Sequence, residues 1–193
     1  MEQRLSESYI LEGSLNLKSV HKLNFSENGL KEIKSNTFNG LKKLQMLSLW
    51  RNQLTKIKEH TFNGLSNLLY LPLWGNQLMN LKENTFNGLE SLQELDLSYN
   101  QLIEIHENTF NGLKNLRNLD LRGNKLTKIK EDTFYSLENL QELDISRNQL
   151  IEINENTFNG LKNLQHLDLS ENRLKEIDKN ILENSLINIC IYF

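Results

Sequence analysis

A single spacing governs this sequence. A pattern of apolar residues recurs every 24 residues, in seven copies that begin at Leu17, Leu41, Leu65, Leu89, Leu113, Leu137 and Leu161. In the copy at 89–112, LESLQELDLSYNQLIEIHENTFNG, apolar side chains stand at positions 1, 4, 7, 9, 14, 17 and 22, with Asn100 at position 12. All seven positions are apolar in every copy, and no other 24-residue register achieves that. The spacing is not that of a helix. Positions 7 and 9 alternate as in a short strand, and the later apolar positions spread out as in a chain that turns after each inward contact. One such coil cannot cover its own core, so neighbouring coils must stack.

Two further columns support this reading. Asn28, Asn52, Asn76, Asn100, Asn124, Asn148 and Asn172 all fall at position 12. A buried turn leaves backbone donors and acceptors that need partners, and a carboxamide offers both. The expectation is a ladder of inward asparagines bonded to backbone. Phe38, Phe62, Phe86, Phe110, Phe134 and Phe158 fill position 22, with Leu182 in the seventh copy. Six of the eight phenylalanines share this column, which marks them as a core spine and not as binding aromatics.

The pattern LxxLxLxxNxLxxIxxxxFxxL, over residues 17–184, resembles the leucine-rich repeat in its 24-residue "typical" form. The ectodomains of Toll-like receptors, lamprey variable lymphocyte receptors and small leucine-rich proteoglycans are built of this form. The resemblance implies an α/β repeat solenoid, a horseshoe with a parallel β-sheet on its concave face and short 3₁₀ or irregular turns on its convex face. It implies that the variable strand residues bind partners, usually proteins. Such ectodomains carry cysteine-rich caps, whereas this chain has one cysteine, Cys190, and no intrachain disulfide. The repeat type points outside the cell, but residues 1–16 show no signal peptide, and the compartment is left open.

Composition narrows the field. A net charge of -3 gives no general attraction to nucleic acid or anionic membrane. No run approaches the roughly 18 apolar residues of a membrane span. Residues 1–16 fit the repeat poorly, and Tyr9, Ile10, Leu11 and Leu15 suit a makeshift cap. Residues 185–193 read as a truncated eighth strand, with Ile191 and Phe193 at positions 7 and 9, or with a one-residue shift. An uncovered strand of that kind invites self-association. Positions 18–21 read KSNT, KEHT, KENT, HENT, KEDT, NENT and DKNI, which suits a short turn on the convex side with a solvated charged face.

If positions 7 and 9 point inward, positions 6, 8 and 10 point outward, and position 11 follows at the strand's end. Seven strands at about 4.8 Å make a face roughly 30–35 Å wide, with residues of one column as direct neighbours. The N-terminal half of this face is apolar and aromatic: Met46, Ser48, Trp50 and Arg51, then Tyr70, Pro72, Trp74 and Gly75, then Tyr99. Trp50 and Trp74 share a column on adjacent strands, so their rings can stack. Tryptophan, tyrosine and arginine dominate binding hot spots. The competing reading is that the two indoles only cover a local gap. The C-terminal half is acidic, with Asp96, Asp120, Asp144 and Asp168 in column 8, Glu94 and Glu142 in column 6, and Glu171 in column 11. Arg122, Arg147 and His166 are interspersed. A basic partner steered to this end is one reading, and a default Leu-Asp-Leu-Ser strand is the other.

No catalytic or metal site is expected. The four histidines fall in different columns, Cys190 has no histidine partner, and no phosphate loop or calcium-loop spacing occurs. No cofactor is expected. The sequon Asn24-Phe25-Ser26 would place any glycan on the concave face. The favoured function is therefore non-catalytic recognition of a protein partner, anchored on Met46, Trp50, Tyr70, Trp74 and Tyr99, with Arg51 at the edge and Glu94, Asp96, Asp120, Arg122, Glu142, Asp144, Arg147 and Asp168 orienting it. The alternatives are a structural or self-associating scaffold, and a fragment of a larger receptor. Copies four and six differ at few positions after Gln93 and Gln141, as expected of units that multiply by duplication.

Overall fold

The computed structural model describes residues 19–176 and 188–190. Eight short parallel strands form one sheet: β1 (Lys22–Asn24), β2 (Met46–Ser48), β3 (Tyr70–Pro72), β5 (Glu94–Asp96), β7 (Asn118–Asp120), β8 (Glu142–Asp144), β9 (His166–Asp168) and β10 (Asn188–Cys190), in that spatial order. A second pairing, β4 (Asn80–Leu81) with β6 (Glu104–Ile105), lies outside this sheet. Each described strand from β1 to β9 of the main sheet buries its central leucine, as the Leu-x-Leu alternation requires. The register steps by one unit per coil, for example Leu71 beside Leu95 and Leu95 beside Leu119. The chain is thus a stack of coils in which every strand continues the sheet of the last.

The core is the predicted one. The described residues of columns 1, 4, 7, 9, 14, 17 and 22 are buried, save a few half-buried at the two ends. Burying one leucine or phenylalanine side chain contributes about 2 kcal/mol, so each added coil brings a large apolar term. The phenylalanines form a continuous stack. Ring centroids from Phe62 through Phe158 are 6.0–6.2 Å apart, with planes within 16° of parallel.

The asparagine ladder satisfies the backbone where the chain leaves the sheet. Asn100 Nδ2 donates to the carbonyls of Leu73 and Leu97, and its Oδ1 accepts from the Leu78 amide at 3.1 Å. Asn52, Asn76, Asn124, Asn148 and Asn172 repeat the arrangement, each tying its own coil to the preceding one. Nothing smaller or purely accepting would serve, because two carbonyls and an amide must be met by one side chain.

The convex side is built of turns. Bonds from the amide of one residue to the carbonyl three before it recur, as in Thr37 to Lys34, Asn39 to Asn36 and Leu41 to Phe38. The seven residues from position 18 to position 24 hold successive tight turns instead of an α-helix.

The end of the sheet departs from the sequence reading. β10 aligns Ile189, not Ile191, with Leu167, and Cys190 with Asp168. The shift is two residues relative to a strict 24-residue step, and the seventh unit is correspondingly shorter. A slide of two keeps the same alternate residues on each face, whereas a slide of one would exchange the faces. Ile191, Phe193, Leu182 and residues 1–16 lie outside the described residues.

Candidate functional site

Coils two and three bring together six residues of columns 6, 8 and 10 without a charge: Met46, Ser48 and Trp50, then Tyr70, Pro72 and Trp74, of which Ser48 is buried. The indoles of Trp50 and Trp74 stack with centroids 5.0 Å apart and planes 4° from parallel. Both are half-buried, and Tyr70 is exposed at the strand's start. Pro72 stands in a central strand, where proline is rare because it gives the ladder no N–H. β2 and β3 accordingly share one register pair, Met46 with Tyr70, where the β1–β2 and β3–β5 pairs share three. The sheet is least regular directly beneath the indoles.

Column 11 forms the rim of this face, and its backbone is unusual throughout. Glu27, Arg51, Tyr99, Arg147 and Glu171 have φ between +50° and +57°, and Gly75 and Gly123 have φ of +67° and +66°. The strand must reverse here to present the following asparagine inward. A left-handed conformation costs a residue with a side chain about 1 kcal/mol. The column reads Glu, Arg, Gly, Tyr, Gly, Arg, Glu, a palindrome centred on Tyr99, and its side chains interlock. Arg51 Nη1 donates to Glu27 Oε1 at 3.1 Å, and its guanidinium lies 4.9 Å from the Trp74 centroid and 5.9 Å from that of Trp50. At the other end Arg147 Nε donates to Glu171 Oε1 at 3.0 Å, and Arg147 Nη1 reaches the Tyr99 hydroxyl at 3.4 Å. The Glu171 carboxylate and then the Tyr99 hydroxyl hold the Arg147 pKa above its ordinary value.

The acidic half has a structural task of its own. Asp96 Oδ1 accepts the Ser98 amide at 2.9 Å and the Ser98 hydroxyl at 2.6 Å, and Asp144 does the same for Ser146. Asp168 accepts the Ser170 amide, and Asp120 the Arg122 amide. Asn24 plays this part in the first coil, accepting from the amide and hydroxyl of Ser26. The sequon is therefore the first member of the Asp-x-Ser series, with its carboxamide oxygen already engaged. The four aspartates border a depression of about 470 Å³ lined also by Glu94, Asn118, Arg122, Glu142, His166 and Cys190. Burial pushes the Asp120 carboxyl up to about 6. The Arg122 amide pulls against that shift, and the flanking Asp96 and Asp144 add to it. Arg122 answers part of this charge, 3.0 Å from Asp120 and 3.7 Å from Asp144. Asn118 Nδ2 donates to Glu142 at 2.9 Å.

The sequence-derived residues thus divide into two adjoining groups on one face. Met46, Trp50, Arg51, Tyr70 and Trp74 form one, and Glu94, Asp96, Asp120, Arg122, Glu142, Asp144 and Asp168 the other. Tyr99, Arg147 and Glu171 continue the rim beside the second. Two participants were not expected from the sequence, Glu27, which holds Arg51, and Gly123, over which the Tyr99 ring lies; Gly75 and Pro72 were placed on the face, but not as the seat of Arg51 and the break in the ladder. The glycine gaps in column 11 were the available signal. Among the described residues no group of three or more histidine, cysteine or carboxylate side chains could hold a metal ion.

This geometry defines a parallel-sheet repeat solenoid with a ladder of buried asparagines. The chain belongs to the leucine-rich-repeat family, whose profile matches residues 18–78, 46–102, 68–126 and 114–174. Family members are commonly protein-interaction modules and are typically non-catalytic. A comparison with curated protein sequences finds no match. Among solved structures, TLR13 in its crystalline complex with ssRNA13 is similar over 89% of this chain and 25% of its own, at 32% identity and a TM-score of 0.83. A leucine-rich-repeat protein of Leptospira interrogans is similar over 97% of this chain and 45% of its own, at 32% identity and a TM-score of 0.82. The chain therefore spans less than half the length of either relative.

Proposed function

We propose that this chain is a non-catalytic recognition module that binds a protein partner on the concave face of its sheet. Met46, Trp50, Tyr70, Trp74 and Tyr99 form the anchor, with Arg51 at its edge. Glu94, Asp96, Asp120, Glu142, Asp144 and Asp168, together with Arg122 and Arg147, orient the partner. The observation that carries this reading is the indole stack: two half-buried tryptophans in parallel, over a strand pair whose regularity is sacrificed to Pro72. Large rings held rigid on a sheet bind with little ordering cost. The TLR13 structure holds single-stranded RNA, yet here six carboxylates share the face with the aromatics and oppose a phosphate backbone.

The test uses peptides selected from a random displayed library on the immobilised chain, with a single-stranded RNA pool as the second probe. The double variant Trp50→Ala/Trp74→Ala should weaken the selected peptides by more than about 2 kcal/mol while leaving the fold intact, as circular dichroism and a cooperative urea transition would show. Peptides that bind the double variant as tightly as the parent would overturn the reading.

A further inference from the structure

One side of the indole pair is already occupied, and the occupant is a cation. The Arg51 guanidinium lies over Trp74 at 4.9 Å and beside Trp50 at 5.9 Å. It is positioned from two directions. Glu27 holds one end at 3.1 Å. The stem crosses Gly75, where a β-carbon would stand 3.2 Å from Arg51 Cγ. Gly75 also has φ of +67°, so a side chain is disfavoured there twice over.

The surroundings set what else the rings can take. The six residues of columns 6, 8 and 10 in these two coils are uncharged, and the nearest carboxylates on the C-terminal side, Glu94 and Asp96, belong to the next strand. A second cation brought onto the same indoles would meet the Arg51 guanidinium as a like charge at close range, a repulsion that Glu27 offsets only in part. An uncharged apolar or aromatic side chain meets no such penalty. It gains apolar burial and a further offset ring contact. One cation–π position on the pair, within reach of both rings, is already filled from within the chain.

Resting on the concave-face reading above, we propose that the Trp50–Trp74 pair accepts an uncharged apolar or aromatic side chain of a protein partner and turns away lysine and arginine. Arg51 sets this preference, and Glu27 and Gly75 position it. The basic groups of such a partner are directed instead to the carboxylates of coils four to seven.

Trp50 and Trp74 are the only tryptophans, so fluorescence excited at the red edge, where tyrosine does not absorb, reports on this site alone. Quenching by caesium and by acrylamide, at constant ionic strength, is measured for the parent chain and for Arg51→Gln. The caesium quenching constant should rise about threefold or more in the variant, with acrylamide nearly unchanged. Equal caesium quenching of both chains would overturn the role given to Arg51. Glu27→Gln leaves the guanidinium without its carboxylate and should lower the caesium constant below the parent's, and a value equal to the parent's removes Glu27 from the assignment. Peptide selection on the same chains separates this inference from its foundation. Peptides that need the Trp pair should carry phenylalanine, leucine or similar anchors on the parent, and should admit lysine and arginine on Arg51→Gln. Peptides that need the pair but carry lysine and arginine equally on both chains defeat the inference and leave the concave-face reading standing. Peptides indifferent to the pair, or an RNA pool retained through it in their place, defeat both.

Discussion

The ring of Tyr99 lies across the backbone of Gly123 in the next coil. A β-carbon built on Gly123 would stand 2.7 Å from Cδ1 and 2.9 Å from Cε1 of the tyrosine. The ring spans one coil in this way so that its hydroxyl meets Arg147 in the coil beyond. Gly123→Ala must displace the ring, and it also places a side chain at φ of +66°. The expected loss is about 1–2 kcal/mol by urea denaturation. Adding Tyr99→Ala relieves the collision but not the backbone strain. The two changes should therefore couple by about 0.5 kcal/mol or more. Strict additivity would show that the ring does not rest on this glycine.

The asparagine ladder makes a sharper demand. Asn100→Asp keeps an oxygen for the Leu78 amide but loses both donors to Leu73 and Leu97, and sets a carboxylate against two carbonyls. The site is buried. The cost should exceed about 3 kcal/mol at neutral pH. Asn28→Asp, at the first rung, should cost much less, because among the described residues the Asn28 carboxamide makes one bond, to the Ser26 carbonyl. Equal losses at the two rungs would mean that the buried bonds are not what stabilises the ladder.

Column 21 offers an internal control on buried hydroxyls. Thr61 and Thr85 each donate to a lysine carbonyl at 2.7 Å. The hydroxyls of Thr133 and Thr157 are buried without a partner. Thr61→Val should therefore destabilise by about 1 kcal/mol, whereas Thr133→Val should be neutral or stabilising by up to about 1 kcal/mol. Thermal unfolding of the two single variants decides the matter. A loss at Thr133 equal to that at Thr61 would reveal a hydrogen bond to solvent at that site.

These cases mark how far the sequence could be read. The core was legible because a 24-residue period forces every apolar column inward, and Leu71, Leu95 and Phe110 could face nowhere else. The asparagines were legible because only a carboxamide meets donors and acceptors together. The left-handed rim was not, since Arg51, Tyr99 and Arg147 hide a conformation that only Gly75 and Gly123 betray. The end register was missed because a two-residue slide from Ile191 to Ile189 leaves the alternation intact. The aspartates of column 8 left a charged partner surface and a default Leu-Asp-Leu-Ser strand both open, because no spacing reports that one oxygen of each accepts a turn amide.

Asp120 supplies a pH-dependent consequence of that arrangement. Its carboxyl is raised from 3.8 to about 6 in the folded chain, by burial first and by Asp96 and Asp144 with it. The folded state therefore holds this proton more tightly than the unfolded state. The contribution to stability is fully present below about pH 4 and is lost as pH rises toward and through about 6. Across that window the group should account for about 2 kcal/mol. Asp120→Asn keeps an oxygen for the Arg122 amide and has nothing to titrate, although it gives up the ion pair to Arg122. The Arg122 end of that pair is exposed, so the pair is worth little. The variant should thus match or exceed the parent's stability at pH 7.5, and the parent should gain on it as pH falls from 7 to 4. Urea midpoints at intervals across this range give the difference curve. Parallel curves would mean that Asp120 ionises as freely in the sheet as in water, and that its neighbours' charges are screened from it.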